Sequence, residues 1–210
     1  REKFNYDLNH TNNVWDIFTN EVLTKIYDSD DGQQYRILFC GIDTGHFTQS
    51  AYGYVDKFEN VIGLKGQSNI KYTLFDVNTG AFKVSKERKD LYLVETNKIK
   101  DELSQRITLT WDEKQGIDQP PGFLNYPYSD GIKYSMKYYF SHYEGEKRDL
   151  QINEAGTAIG SRWVKKHSSS VNHYFDTMVY NIALKDILVD MFCREEKLPV
   201  KWTNFVSLFK

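Results

Sequence analysis

The stretch Tyr35-Arg36-Ile37-Leu38-Phe39-Cys40-Gly41-Ile42-Asp43-Thr44-Gly45 decides the reading of the fold. From position 37 to 42 no polar side chain interrupts it. An apolar run of this length without alternation reads as a strand buried on both faces, hence a central strand of a sheet, and it predicts a strand over 35–42. The run stops at Asp43-Thr44-Gly45, so the strand carries a carboxylate to the edge of the sheet. Position alone leaves two readings of Asp43 level. It is either a local cap or Asx turn before Gly45, or a functional acid at a strand end, where sites of open α/β sheets gather.

Working outward, apolar positions at helical spacing predict a helix over 13–27, broken by Ser29-Asp30-Asp31-Gly32. A helix is expected over 47–58, with Thr48 as a possible cap. Strands are expected at 61–64, 72–77, 81–84 and 91–95, and Asn78-Thr79-Gly80 reads as a hairpin turn. Ile99, Leu103 and Ile107 form one stripe of a helix over 97–107. A loop over 111–122 contains Pro120-Pro121-Gly122. A short strand follows at 123–126, an aromatic helix at 132–143 and a strand at 161–165. The strongest helix runs over 174–192, with Phe175, Met178, Val179, Ile182, Ala183, Ile187 and Met191 among its apolar positions. Strands alternating with helices define an α/β domain with a mixed sheet flanked by helices. The expected organisation is an arm and helix over 1–34, the domain proper over 35–195 and a tail over 196–210.

Composition narrows the function classes. The 210 residues suit one domain with a full core. The 15 Tyr and 13 Phe argue against disorder. No apolar run approaches the roughly 18 residues that a membrane span requires, and no signal peptide is apparent. Cys40 and Cys193 are far apart in apolar contexts and read as buried free thiols, with no spacing for structural zinc. The net charge of −2 advertises no bulk affinity for nucleic acid. A basic track beside an acidic site would cancel in that sum. The first residue is Arg1 rather than Met, so a piece of a longer protein is expected.

Glu95 repeats the setting of Asp43, at the end of Leu91-Tyr92-Leu93-Val94. Taken alone, it reads more naturally as a charge favouring the helix that follows. His173 and Asp176, spaced i, i+3, share a face of the first turn of the long helix. An acid facing the sheet there needs a partner, and a cation between carboxylates is one. Asp43, Glu95 and Asp176 together would make an oxygen-rich cage suited to Mg2+ or Mn2+ rather than zinc. Two such ions about 4 Å apart activate a water and stabilise the leaving oxygen of a phosphodiester. His173 would complete the shell or orient the water.

Four ordered segments resemble the nuclease domain of the large terminase subunit of tailed bacteriophages, in particular the lambda-like type. They are Gly41-Ile42-Asp43-Thr44-Gly45 with Thr48-Gln49-Ser50-Ala51-Tyr52; Ile62-Gly63-Leu64-Lys65-Gly66; Leu91-Tyr92-Leu93-Val94-Glu95-Thr96 with Lys100; and Trp163 with Asn172-His173-Tyr174-Phe175-Asp176 running into Val179-Tyr180-Asn181-Ile182-Ala183. Tyr139-Phe140 with Glu144 is a weaker fifth. The resemblance implies an RNase H-like fold, two Mg2+ or Mn2+ ions and endonucleolytic cutting of double-stranded concatemeric phage DNA during genome packaging. It matches Asp43 to the first metal acid and Asp176 to the last. His173 falls where lambda-like members tend to carry Glu. Their second acid falls at Asn97, which leaves Glu95 as its substitute and Asp101 as the fallback.

The resemblance also implies a portal protein and a small terminase subunit as partners, action in the host cell cytoplasm and an ATPase motor elsewhere. No Gly-x-x-x-x-Gly-Lys-Ser/Thr loop occurs in these residues. Lys65, Lys165 and Lys166 are candidate phosphate contacts, and each reads equally well as a solvated lysine. Two alternatives stand beside the nuclease. One is a non-enzymatic packaging module whose acids are structural. The other is an actin-like ATP-binding domain, to which Asp43-Thr44-Gly45 alone corresponds.

Overall fold

The computed structural model describes residues 14–68, 81–126 and 136–209. The arm over 1–12, the expected strand at 72–77, its turn at 78–80 and the start of the aromatic helix lie outside these residues.

Among the described residues the centre is a four-stranded mixed sheet of β3 (Cys40–Asp43), β4 (Val61–Gln67), β6 (Leu91–Glu95) and β5 (Phe82–Val84), in that spatial order. β3, β4 and β6 run parallel, and β5 is antiparallel to β6. Parallel neighbours require crossovers. Helix α2 (Thr48–Val55) makes the one from β3 to β4. Two short strands, β1 (Tyr27–Asp28) and β2 (Gln34–Tyr35), pair with each other away from this sheet.

Both faces of the sheet are covered. On one, Leu23, Cys40, Tyr54, Val55 and Val61 pack beneath α2 and the N-terminal turns, which are α1 (Val14–Phe18) continued by a π-helical turn over Thr19–Leu23. On the other, Ile62, Leu64, Tyr92 and Val94 meet two helices, α3 (Thr96–Ile107) and α5 (His173–Glu195). The buried stripe of α5 is Phe175, Val179, Ile182, Ala183 and Ile187, at spacings of three and four. Fully burying side chains such as Ile187 contributes about 1.5–3 kcal/mol each, so this face anchors α5 firmly over the strand ends. After α5 the chain forms α6 (Trp202–Ser207), whose Phe205 packs on Val189 and Cys193.

Several sequence expectations are corrected. The run over 35–42 is not one strand. Tyr35 belongs to β2, residues 36–39 are irregular, and Leu38 is exposed. β3 is an edge strand of the described sheet, not a central one. Its apolarity on both faces reflects helices on both faces, which a one-sided strand neighbour does not alter. Residues 123–126 form no strand, although Leu124 packs against the main core. Thr48 does not cap α2. Phe47 occupies that position with φ 49°, and the Thr48 hydroxyl donates to the Thr44 carbonyl at 2.9 Å. The strand expected at 161–165 is longer, β8 (Ala158–Lys165), and it pairs with β7 (Glu146–Ile152), which hydropathy did not announce. Of the aromatic helix, the described residues show α4 (Met136–Ser141).

Candidate active site

Asp43 closes β3 opposite Leu64 of β4. Its Oδ1 accepts a hydrogen bond from the Gly45 amide at 2.8 Å, so the local Asx turn foreseen for it is present and orients the carboxylate. Side-chain alternation along β3 sends Gly41 and Asp43 to the face covered by α5. A Cβ on Gly41 would meet Leu64 and Leu184 there.

Tyr180 of α5 reaches the same place. Its hydroxyl accepts from the Gly66 amide at 3.1 Å and faces the Asp43 carboxylate. Burial, then the charge of Asp43, raises the phenol well above the usual tyrosine range, with Asp176 adding a smaller push. The hydroxyl therefore stays protonated and donates toward Asp43. A Cβ at position 66 would stand 3.0 Å from this hydroxyl and 2.9 Å from Thr96 Cγ2, so glycine is what lets Tyr180 settle against β4.

Asp176 lies one helical turn before Tyr180. Its Oδ1 is 2.7 Å from Lys100 Nζ, and the same ammonium is 2.7 Å from Glu146 Oε2. On the other side Asn172 Nδ2 donates to Asp176 Oδ2 at 2.6 Å and to Glu146 Oε1. Asn172 is the N-cap residue of α5, yet its side chain makes no capping bond. The two carboxylates are thus clamped between an ammonium and an amide. The side chains of Lys100 and Glu146 are only 8% and 5% exposed, whereas Asp176 is 37% exposed and opens the cluster to solvent. Gly145 makes the approach possible, since a Cβ there would fall 2.2 Å from the Val171 carbonyl oxygen.

The acids singled out in sequence separate. Asp43 lies on the sheet face under α5, Asp176 lies on α5 itself, and the charges of both bear on the Tyr180 hydroxyl. Glu95 is paired with Gln67, three residues beyond the level of Asp43, and alternation sends its side chain to the opposite face. Three residues of strand are roughly 10 Å, which adds to a displacement of two strands across the sheet. Asp101 is held by the ribbon of β7 and β8, accepting from Trp163 Nε1 and Arg148 at 2.8 Å each. Asn97 is buried and accepts from the Trp163 amide at 3.0 Å.

His173 is exposed on the first turn of α5, its ring centroid 5.9 Å from that of His142. Lys165 pairs with Glu146 across the ribbon, and Lys166 bonds its amide to the Gly145 carbonyl, so both lie at the rim of the cluster. Lys65 leaves β4 on the face opposite Asp43.

Among the described residues, no group of three or more His, Cys, Asp or Glu side chains is gathered closely enough to hold a metal ion. The expected three-acid cage is therefore not preassembled. Glu95 stands apart, and an ammonium lies between Asp176 and Glu146. Sequence reading missed Glu146 and the roles of Lys100 and Tyr180. The one available signal was Lys100, which falls three residues before Leu103 on the inward side of α3, where a lysine needs a partner.

The arrangement is that of an acidic site at the C-terminal ends of the parallel strands of a mixed sheet. A family profile described as the terminase large subunit gpA endonuclease domain matches residues 1–194. The chain belongs to this family, which places it among nucleases with a role in packaging DNA. No curated protein and no solved structure matches it. No helix among the described residues is long and apolar enough to cross a membrane.

Proposed function

We propose that the chain is a divalent-metal-dependent endonuclease that cuts double-stranded, concatemeric phage DNA during genome packaging. The observation that carries this reading is that the charges of Asp43 and Asp176 both bear on Tyr180, while Glu146 shares the Lys100 ammonium with Asp176. Three carboxylates against the single ammonium of Lys100 leave a formal charge of −2, which one divalent cation would neutralise. The donors are all oxygen, which suits Mg2+ or Mn2+. On this reading Asp43 and Asp176 are its primary ligands and Glu146, rather than Glu95, is the third acid, drawn together only when the ion binds, since without it they are not gathered closely enough to hold one.

A bound pair of ions would supply Lewis-acid activation of water and stabilisation of the leaving oxygen. The protein's own groups do the rest. The Gly45 amide and the Tyr180 hydroxyl fix the orientation of Asp43. Asn172 fixes Asp176. His173, exposed beside Asp176, is placed to orient a water, and Lys165 and Lys166 to hold backbone phosphates at the rim without reading sequence. The reading carries with it an RNase H-like fold, supported by the mixed sheet and by Asp43 at the end of its first parallel strand. It also carries a portal protein and small terminase subunit as partners, the host cytoplasm as the place of action and the division 1–34, 35–195 and 196–210.

Digestion of supercoiled plasmid with Mg2+, Mn2+ or EDTA tests this directly. Metal-dependent nicking and linearisation, abolished in Asp43→Ala and Asp176→Ala, is expected. An intact plasmid with both metals would leave the non-enzymatic packaging module as the better account.

A further inference from the structure

Lys100 is an unusual component of a site built from acids. Its ammonium is buried and lies 2.7 Å from one oxygen of Glu146 and 2.7 Å from one of Asp176. Without it, the buried carboxylate of Glu146 would face that of the more open Asp176 with only the Asn172 amide between them, an arrangement disfavoured by repulsion and by the lost hydration of Glu146. The ammonium thus does what a bound cation would do. It offsets one of the two negative charges and sets the distance between the carboxylates.

We propose that Lys100 is a positioning residue that stands in for a divalent cation between Glu146 and Asp176, and that it is displaced from Asp176 when such a cation binds. This rests on the metal-dependent reading above. Three features support it. First, the flexible four-carbon stem of lysine allows its head to withdraw while the helix stays in place. Second, Phe175 offers the retreating ammonium a second favourable contact, its ring centroid already 5.3 Å away. Third, Asp176 is the open side of the cluster, so an ion arriving from solvent meets the acid that Lys100 must release. In the metal-free protein the site stays ordered with part of its negative charge offset, and binding an ion becomes a competition with a tethered one.

Mn2+ titration of the whole chain, read by calorimetry and by melting temperature, tests this with wild type, Lys100→Met and Lys100→Gln. Lys100→Gln keeps a hydrogen-bond donor between the acids and guards against a Met variant that fails to fold. Both variants should melt lower than wild type without metal, and Mn2+ should recover most of the difference. Removing a unit charge this close should tighten Mn2+ binding by about tenfold or more. Affinity equal to wild type, or weaker, would overturn the stand-in role and leave the metal-dependent reading intact. Absence of Mn2+ binding in every form would overturn that reading as well.

Discussion

Gly41-Ile42-Asp43 and Leu93-Val94-Glu95 both end parallel strands of one sheet in an acid, and both are followed by a helix. The fold treats them differently. Asp43 falls on the same face as Leu64 and Tyr92, beneath α5, and meets Tyr180. Glu95 falls on the face of Leu91 and Leu93, three residues further along. A strand end is therefore only half an address. The parity of the residue and the register of its neighbour supply the other half, because a shift of one position moves a side chain to the opposite face.

Five predictions break or sharpen this contrast. The largest effect is expected from Asp43→Ala or Asp176→Ala in a plasmid-nicking assay. Losing a metal ligand forfeits several kcal/mol of transition-state stabilisation, a rate loss on the order of a thousandfold. Next is Gly145→Ala, whose Cβ collides with backbone rather than a yielding side chain. It should pull Glu146 away from Asn172, lowering the melting temperature and reducing cleavage by roughly tenfold, in line with about 1.4 kcal/mol. Tyr180→Phe removes the donor to Asp43 and should reduce the rate several-fold. Because Tyr180 titrates above the ordinary value of 10.0, the pH–rate profile between pH 7 and 9 should keep its shape.

The smallest effect concerns acid. Burial, and secondarily the nearby His173, lowers the pKa of His142 below its ordinary 6.5. The unfolded chain then binds the proton more readily, so stability is full above pH 6.5 and declines as pH falls below it. A melting-temperature series from pH 7.5 to 5 (roughly a window centred on the unperturbed value) should show a shallower acid slope for His142→Phe. Glu95→Ala, in contrast to all of these, should cleave plasmid within about twofold of wild type, because its side chain leaves the sheet on the face opposite Asp43.

Part of this was legible in the sequence and part was not, for physical reasons. The strand over Leu91–Glu95 and the helix over His173–Glu195 carry their own periodicity, and the α/β mixed sheet follows from their alternation. Asp43 is announced by the abrupt end of an apolar run. That same run misled about position, because helices on both faces make an edge strand as apolar as a central one. Glu146 could not be read, since β7 is Glu-Lys-Arg-Asp-Leu-Gln-Ile and looks solvated throughout. Its burial depends on Gly145 crossing the Val171 carbonyl and on Lys100, 46 residues away. Lys100 had a signal in its helical phase, but its two partners come from other elements.

Mn2+ binding to Asp43→Ala and Glu95→Ala, measured side by side by calorimetry, tests the central claim most directly. Glu95→Ala should bind like wild type and Asp43→Ala should lose at least one ion. If Glu95→Ala loses the ion while Asp43→Ala retains it, the site lies on the other face of the sheet.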